Sequence, residues 1–252
     1  MPEHPQPDSL ATALTAALRQ EEFILYCQEI RPIAADHRVP FQEILVRFKD
    51  EEEKLLPPGS FFPILEDNGL MPLLDRWVLG KVERWIHARR TSNRDFVIPH
   101  NSMNVSLETV SDRRFPGFVQ KCIANRQIPA EALTFELAGD TVHRPETREF
   151  MAQVVKLGCT VVICNFDGSE ASMEALRALK PHFVKLSPAL LKNLRSDSPE
   201  YYALYMLNAR CKALGFKTIA ERVEDEAVIG QLMTVGVDYV QGFAVAVPRP
   251  LE

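Results

Sequence analysis

Eight short apolar runs punctuate the chain, and a helical pattern separates most neighbours. In order the runs read FILYCQEI, VPFQEILVRF, FVIPHNSMNVS, LTFELA, TVVICNF, FVKLS, KTIAERV and YVQGFAV. Helical spacing of apolar residues is predicted over Leu73–Arg89, Phe115–Asn125, Thr147–Leu157, Ala171–Leu179, Tyr201–Leu214 and Ala227–Val235. Strands buried on both faces need crossover helices to pair in parallel, so this alternation specifies an α/β class. A (β/α)8 barrel uses the pattern, and so does an open doubly wound sheet; the count of eight favours the barrel. No glycine-rich phosphate loop follows any run, which removes one support for a dinucleotide-binding sheet. One longer connection, PPGSFFPILEDNG, is expected to hold an extra short helix.

The chain of 252 residues is 46% hydrophobic and 25% charged, enough to bury one large core. A net charge of -5 offers no basic excess for phosphate backbones, so nucleic acid is not the expected partner. No apolar run reaches the roughly 18 residues needed to cross a bilayer. The five cysteines, Cys27, Cys122, Cys159, Cys164 and Cys211, are odd in number and lack CxxC spacing. A disulfide framework or structural zinc is therefore not expected, and a cytoplasmic setting is. The start, MPEHPQPDS, is polar and unlike a signal peptide. We read residues 1–8 as a flexible tail and 9–250 as one barrel domain. Ser9 is placed as the cap of a first helix, LATALTAALRQ. Leu251-Glu252 is set apart as a candidate expression scar.

Barrel chemistry gathers at the C-terminal ends of the strands. Each run carries a polar residue near that end: Gln28, Glu43, Asn104, Glu136, Asn165, Lys185, Glu221 and Gln241. Any one of them could sit at an edge or face solvent. Their convergence describes an oxygen-rich mouth suited to a hard divalent cation and an anionic ligand. His4, His37, His87, His100, His143 and His182 are placed in tails, loops or helices. A histidine triad or zinc centre is therefore disfavoured.

These residues, in this order, make the chain similar to the EAL-domain family of bacterial cyclic di-GMP phosphodiesterases. Glu43-Ile44-Leu45 resembles the name-giving Glu-Ala-Leu, and Arg47 follows it. PPGSFFPILEDNGLM resembles the family's proline-led helix and acidic turn. Asn104-Val105-Ser106 resembles its Asn-x-Ser strand end, and Glu136-Leu137-Ala138-Gly139 its Glu-x-Thr-Glu. Val184-Lys185-Leu186 matches the lysine strand. Ala220-Glu221-Arg222-Val223-Glu224 resembles Ala-Glu-Gly-Val-Glu, and Gln241-Gly242-Phe243 the final Gln-Gly-aromatic. The resemblance implies a modified TIM barrel whose first strand runs antiparallel to the rest. It implies Glu43, Asn104, Glu136 and Glu221 as metal ligands, with Glu43, Lys185 and Glu221 as remnants of the catalytic set. It implies Gln28, Leu45, Arg47, Lys185 and Gln241 as ligand-binding residues. The alternative for Arg47 is an ion pair with Glu66 or Asp67.

The pattern breaks at the metal site. Active members resemble two-metal hydrolases with two consecutive aspartates, and here Cys164-Asn165 stands in that place. A bridging carboxylate offsets repulsion between two dications; a neutral thiol and a neutral amide do not. The loop that resembles Phe-Gly-Thr-Gly-Tyr-Ser-Ser reads Phe166-Asp167-Gly168-Ser169-Glu170-Ala171-Ser172. Gly139 replaces the second Glu of Glu-x-Thr-Glu, with Asp140 one residue late. Glu29 replaces a proline and adds negative charge near the ligand route. Arg222 replaces a glycine and either enters the site as a fixed cation or faces a helix. The reading is a degenerate domain, a non-catalytic cyclic di-GMP receptor rather than an enzyme, with one weakly held Mg or Mn ion or none. The alternatives are a protein-interaction module that binds no nucleotide, and a weak metal-dependent phosphodiesterase releasing pGpG. An unidentified protein partner and a homodimer are the expected assemblies.

Overall fold

Phe23–Glu29 (β1) and Phe41–Lys49 (β2) run antiparallel, with Phe23 opposite Phe48 and Glu29 opposite Gln42. From β2 onward every principal neighbour is parallel. His100–Asn104 (β3), Leu133–Ala138 (β4), Thr160–Phe166 (β5), Phe183–Leu186 (β6), Lys217–Ala220 (β7) and Tyr239–Val240 (β8) follow in chain order around the sheet. Arg31–Pro32, the continuation of β1, pairs antiparallel with β8 through Arg31 opposite Val240. The first strand therefore touches both ends of the series and closes it into a modified (β/α)8 barrel. This computed structural model describes residues 12, 14–18, 22–33, 39–49, 54–192 and 194–252. The expected tail 1–8, the cap Ser9, His4 and His37 lie outside the described residues. Of the expected first helix, Thr12 and residues 14–18 are helical, with Leu14, Ala17 and Leu18 buried.

The connecting helices are Met71–Ser92 (α1), Phe115–Arg126 (α2), Pro145–Lys156 (α3), Glu170–Leu179 (α4), Pro199–Ala213 (α5) and Glu226–Val235 (α6). Proline lies in the first two positions of α1, α2, α3 and α5, where the missing N–H would have no helical partner. Ser169, Ser198 and Asp225 cap α4, α5 and α6 through their side-chain oxygens. The expected extra helix in the long connection is Phe62–Asp67, preceded by a single tight turn over Pro58–Ser60. Among the described residues no helix is long and apolar enough to cross a membrane.

Two apolar layers result. The larger lies between sheet and helices. The smaller fills the barrel and consists of Ile30, Phe41, Val162, Phe183, Ile219 and Tyr239. Its rings meet edge-on or tilted, with Phe41 and Phe183 centroids 5.1 Å apart and Phe183 and Tyr239 5.8 Å apart. Strand side chains alternate faces. Two residues after Phe41, Val162, Phe183, Ile219 and Tyr239 come Glu43, Cys164, Lys185, Glu221 and Gln241. The aromatic plug thus floors a polar layer at the C-terminal mouth.

Three expectations need correction. His100 opens β3 rather than lying in a loop, at the end opposite the mouth, where its Nδ1 meets the Glu131 carbonyl at 2.6 Å. KTIAERV leaves the sheet after Ala220, because Arg222 adopts a left-handed φ of 56° that no strand accommodates. YVQGFAV leaves it after Val240, because Val245 and Ala246 both turn back to donate to the Gly242 carbonyl. Leu251, set apart in the sequence reading, is half-buried and donates its N–H to the Leu25 carbonyl at 2.9 Å.

The two post-strand motifs interlock. Val223 donates to Gln241 O and Ala244 to Val223 O, at 2.9 and 3.0 Å. A Cβ on Gly242 would lie 2.1 Å from Val223 O and 2.3 Å from Val223 N. Gly242→Ala is therefore expected to cost about 1–3 kcal/mol in urea unfolding. Gly59→Ala, whose Cβ meets nothing within 4 Å, should stay within about 0.5 kcal/mol. Equal midpoints for the two variants would refute the close approach.

On the outer surface the Arg114 backbone N–H and the Arg76 guanidinium hold the Asp112 carboxyl down at about 2. Its folded value lies below the unfolded one of about 3.9. Its stabilisation is thus present above that unfolded value and fades as pH falls toward about 2. Asp112→Asn should lower the Tm near neutral pH, with the difference gone by about pH 2. A difference that persists there would show that the charge is not its source.

Candidate functional site

Lys185 enters the polar layer from β6 and is 1% exposed. Its Nζ lies 2.7 Å from Glu43 Oε2, 2.7 Å from Glu136 Oε1 and 2.9 Å from Glu136 Oε2. Asn104 Nδ2 donates to Glu43 Oε1 at 3.0 Å, and Gln241 Nε2 to Glu43 Oε2 at 2.7 Å. Gln241 Nε2 also donates to Gln28 Oε1 at 3.1 Å, and Gln28 Nε2 reaches the Ala246 carbonyl at 2.9 Å. Six residues singled out in the sequence thus form one hydrogen-bonded array drawn from six strand ends.

The array splits its two carboxylates. Burial alone would push Glu43 up, but the Lys185 charge and the donors Lys185, Gln241 and Asn104 prevail, and Glu43 stays below the usual carboxylate range. For Glu136 burial and the charge of Glu43 prevail over Lys185, and it is held above that range. Burial would lower Lys185, yet Glu136 and Glu43 raise it well above an ordinary lysine.

Cys164 and Asn165 occupy a bulge. Ile163 pairs with Val184 and Phe166 with Leu186, so Cys164 and Asn165 together face Lys185 alone. Cys164 turns inward, and its Sγ lies 3.1 Å from Glu136 Oε2 as donor. Burial, then the Glu136 charge, pushes the thiol well above its ordinary value, so it keeps its proton. Asn165 is exposed, with a left-handed φ of 53° that asparagine tolerates better than most residues. A protonated thiol spent on Glu136 and an outward amide do not fit a site for two hard dications. Among the described residues no group of three or more His, Cys, Asp or Glu is arranged to hold a metal ion. Glu43 and Asn104 remain in contact, through Asn104 Nδ2 and Glu43 Oε1.

The neighbouring departures have local reasons. A Cβ on Gly139 would lie 2.4 Å from Cys164 O, so no glutamate fits there while the bulge keeps this path. In the following loop Asp167 accepts from Ser169 N at 2.9 Å, and Ser169 Oγ accepts from Ser172 N at 3.2 Å. That segment is a turn and a helix cap. Glu29 is neutralised by Arg31, whose Nε lies 3.2 Å away and whose Nη2 also donates to Val245 O.

One cavity is lined by Glu43, and a second opens beyond Asn104. The first, of about 440 Å³, is lined by Gln28, Glu43, Glu221, Arg222, Gln241 and Phe243, among others. The second, of about 380 Å³, is lined by Leu45, Asn104, Asp140 and Arg144, among others. Glu221 therefore reaches the site through the first cavity, where burial raises its carboxyl despite the Lys185 charge. Arg222, exposed, lines the same cavity. Arg47 is not drawn into the array. It donates to the Val46 carbonyl at 2.9 Å and lies over the Tyr26 ring, and neither Glu66 nor Asp67 pairs with it. Asp75 escaped the sequence reading. Buried on α1, it accepts from Ser106 N and Oγ at 2.9 and 2.8 Å and fixes the loop after Asn104. A lone acid amid the apolar face of MPLLDRWVLG was the available signal.

Lys185→Met would leave two buried carboxylates without their cation. The expected loss is roughly 3–5 kcal/mol by urea unfolding, partly recovered in Lys185→Met/Glu136→Gln. A loss below about 1 kcal/mol would mean that the array does not depend on its ammonium.

The model of the EAL domain family matches residues 11–248. The cyclic di-GMP phosphodiesterase PdeB of Shewanella oneidensis is 29% identical over 243 residues, covering 96% of this chain and 28% of PdeB. PdeF of Escherichia coli, also a cyclic di-GMP phosphodiesterase, is 28% identical over 249 residues, with 96% and 32% covered. The chain thus spans about a third of the length of those two relatives. Rv1357c of Mycobacterium tuberculosis, an uncharacterized protein, is 32% identical over 250 residues, with 96% and 80% covered. Among solved structures, the FimX EAL domain of Xanthomonas citri in complex with c-diGMP superposes with a TM-score of 0.88 at 23% identity, covering 98% of this chain and 96% of that one. The structural likeness supports the fold, and a family model that spans nearly the whole sequence supports the kinship: this chain belongs to the EAL domain family.

Proposed function

We propose that this EAL domain acts in cyclic di-GMP signalling as a non-catalytic receptor of the dinucleotide. The observation that carries the reading is the bulge at Cys164-Asn165. It places a protonated thiol, hydrogen-bonded to Glu136, where a metal-bridging carboxylate would be needed. Water activation by paired cations has no bridging ligand in such a site. Glu43 and Asn104 are left as the pair able to hold a single Mg or Mn ion weakly. The binding side of the site is better kept. Gln28, Gln241 and Glu43 present a fixed polar wall to the first cavity, and the second, beyond Asn104, leaves room for a ligand with two bases. A receptor without catalysis works through a partner. Exposed Tyr202, Tyr205 and Met206, at helical spacing on α5, offer an apolar face for one. That face also favours the second reading, an interaction module that binds no nucleotide.

Calorimetry with cyclic di-GMP should show saturable binding, and incubation with Mn²⁺ should yield no more pGpG than a Glu43→Ala control. Hydrolysis above that control would make the protein a phosphodiesterase. The absence of heat at high-micromolar ligand would leave the interaction module.

A further inference from the structure

The cavity beside Glu43 holds three side chains whose state the barrel's own contacts do not account for. Gln241 is 4% exposed, and its Nε2 donates to two acceptors, Gln28 Oε1 and Glu43 Oε2. That fixes the amide orientation, and its Oε1 is left buried without a hydrogen-bond partner. A buried carbonyl oxygen in that state is a cost that a ligand N–H would remove. Phe243, two residues on, stands 67% exposed at the same cavity, a free aromatic face for a base. Arg222 lines the cavity from a left-handed backbone, φ 56°, that glycine adopts without cost and arginine does not.

The charges explain why a cation there matters. The other charged groups described on this cavity are Glu43, Glu221 and Glu224, all acidic. Glu43 already faces Lys185 at 2.7 Å, so that ammonium is committed below. A phosphate entering the cavity would meet Glu221 and Glu224 unless a cation stands between. We propose that Arg222 is the anion-binding residue of this cavity, its guanidinium taking a phosphate of the cyclic dinucleotide and replacing divalent-cation charge. The inference rests on the receptor reading above. A planar fork of N–H donors suits two phosphate oxygens at once, which no single point charge does. The ligand's base stacks on Phe243 and its N–H meets Gln241 Oε1.

The test is a titration of the full chain with cyclic di-GMP, in EDTA and in Mg²⁺, for the parent, Arg222→Gly and Arg222→Asn. Both substituents suit a left-handed backbone, so the Tm of each should equal or exceed the parent's. The expected result is parent binding unchanged by EDTA and weakened about tenfold or more in both variants, as for loss of a charge-assisted pair. Binding by the parent that requires Mg²⁺ would overturn the inference and leave the receptor reading intact. So would equal affinities for parent and variants. No binding by the parent in either buffer would overturn both.

Discussion

One ammonium group organises the mouth of this barrel. Lys185 sits between Glu43 and Glu136 with almost no access to water, and each partner comes from a different strand. Bringing three charges out of water is expensive, and the arrangement persists only because geometry and further hydrogen bonds offset that cost. Asn104 and Gln241 saturate Glu43, while Cys164 donates to Glu136. The aromatic floor beneath, with Phe41, Phe183 and Tyr239 in mutual contact, denies these groups any route to solvent from below. Strand register then does the rest. With Glu43 beside Ser102, Asn104 beside Glu136 and Ala138 beside Cys164, a slip of one residue on any strand would turn its member of the array outward.

Much of this was legible in the sequence because a barrel interior obeys a period of two. A polar residue near the end of a short apolar run reads as a mouth position, and Glu43, Glu136, Lys185 and Gln241 stand there. What stayed hidden depends on backbone detail. The bulge that sets Cys164 and Asn165 against one residue cannot be seen in TVVICNF. Nor can the tight approach of Gly139 to the Cys164 carbonyl, which makes the missing glutamate a matter of space as well as chemistry. The contact of Arg47 with the ring of Tyr26, on the neighbouring strand, was not part of any linear motif. Asp75 and Ser106 are distant in sequence, and their bond is created by the packing of α1 on the loop after β3.

The departures at Gly139, Cys164-Asn165 and residues 166–172 share one sector of the mouth, while Glu29 ends β1 and Arg222 lies after β7. β5 keeps its pairing with β4 through Cys164, and the segment after it still starts α4 with a well-formed cap. The loop after β5 serves as a turn and a helix cap. The change therefore lies in the chemistry of the donors while the scaffold around them is kept. Such a division is what the proposed receptor requires, since the groups that shape a pocket differ from those that activate water.

Arg222 shows that division at a single residue. Its backbone conformation favours glycine, and an arginine there forgoes part of the stability a glycine would give. Among the described residues the charge felt beside it is that of Glu221, at the edge of an open cavity, where an ion pair is worth little. A ligand anion changes the balance. It excludes water from the cavity, which strengthens every charge interaction within it, and it brings two oxygens to a fork built for two. The strained position then contributes to binding what it withholds from folding, a trade expected at functional sites and not in the packed interior.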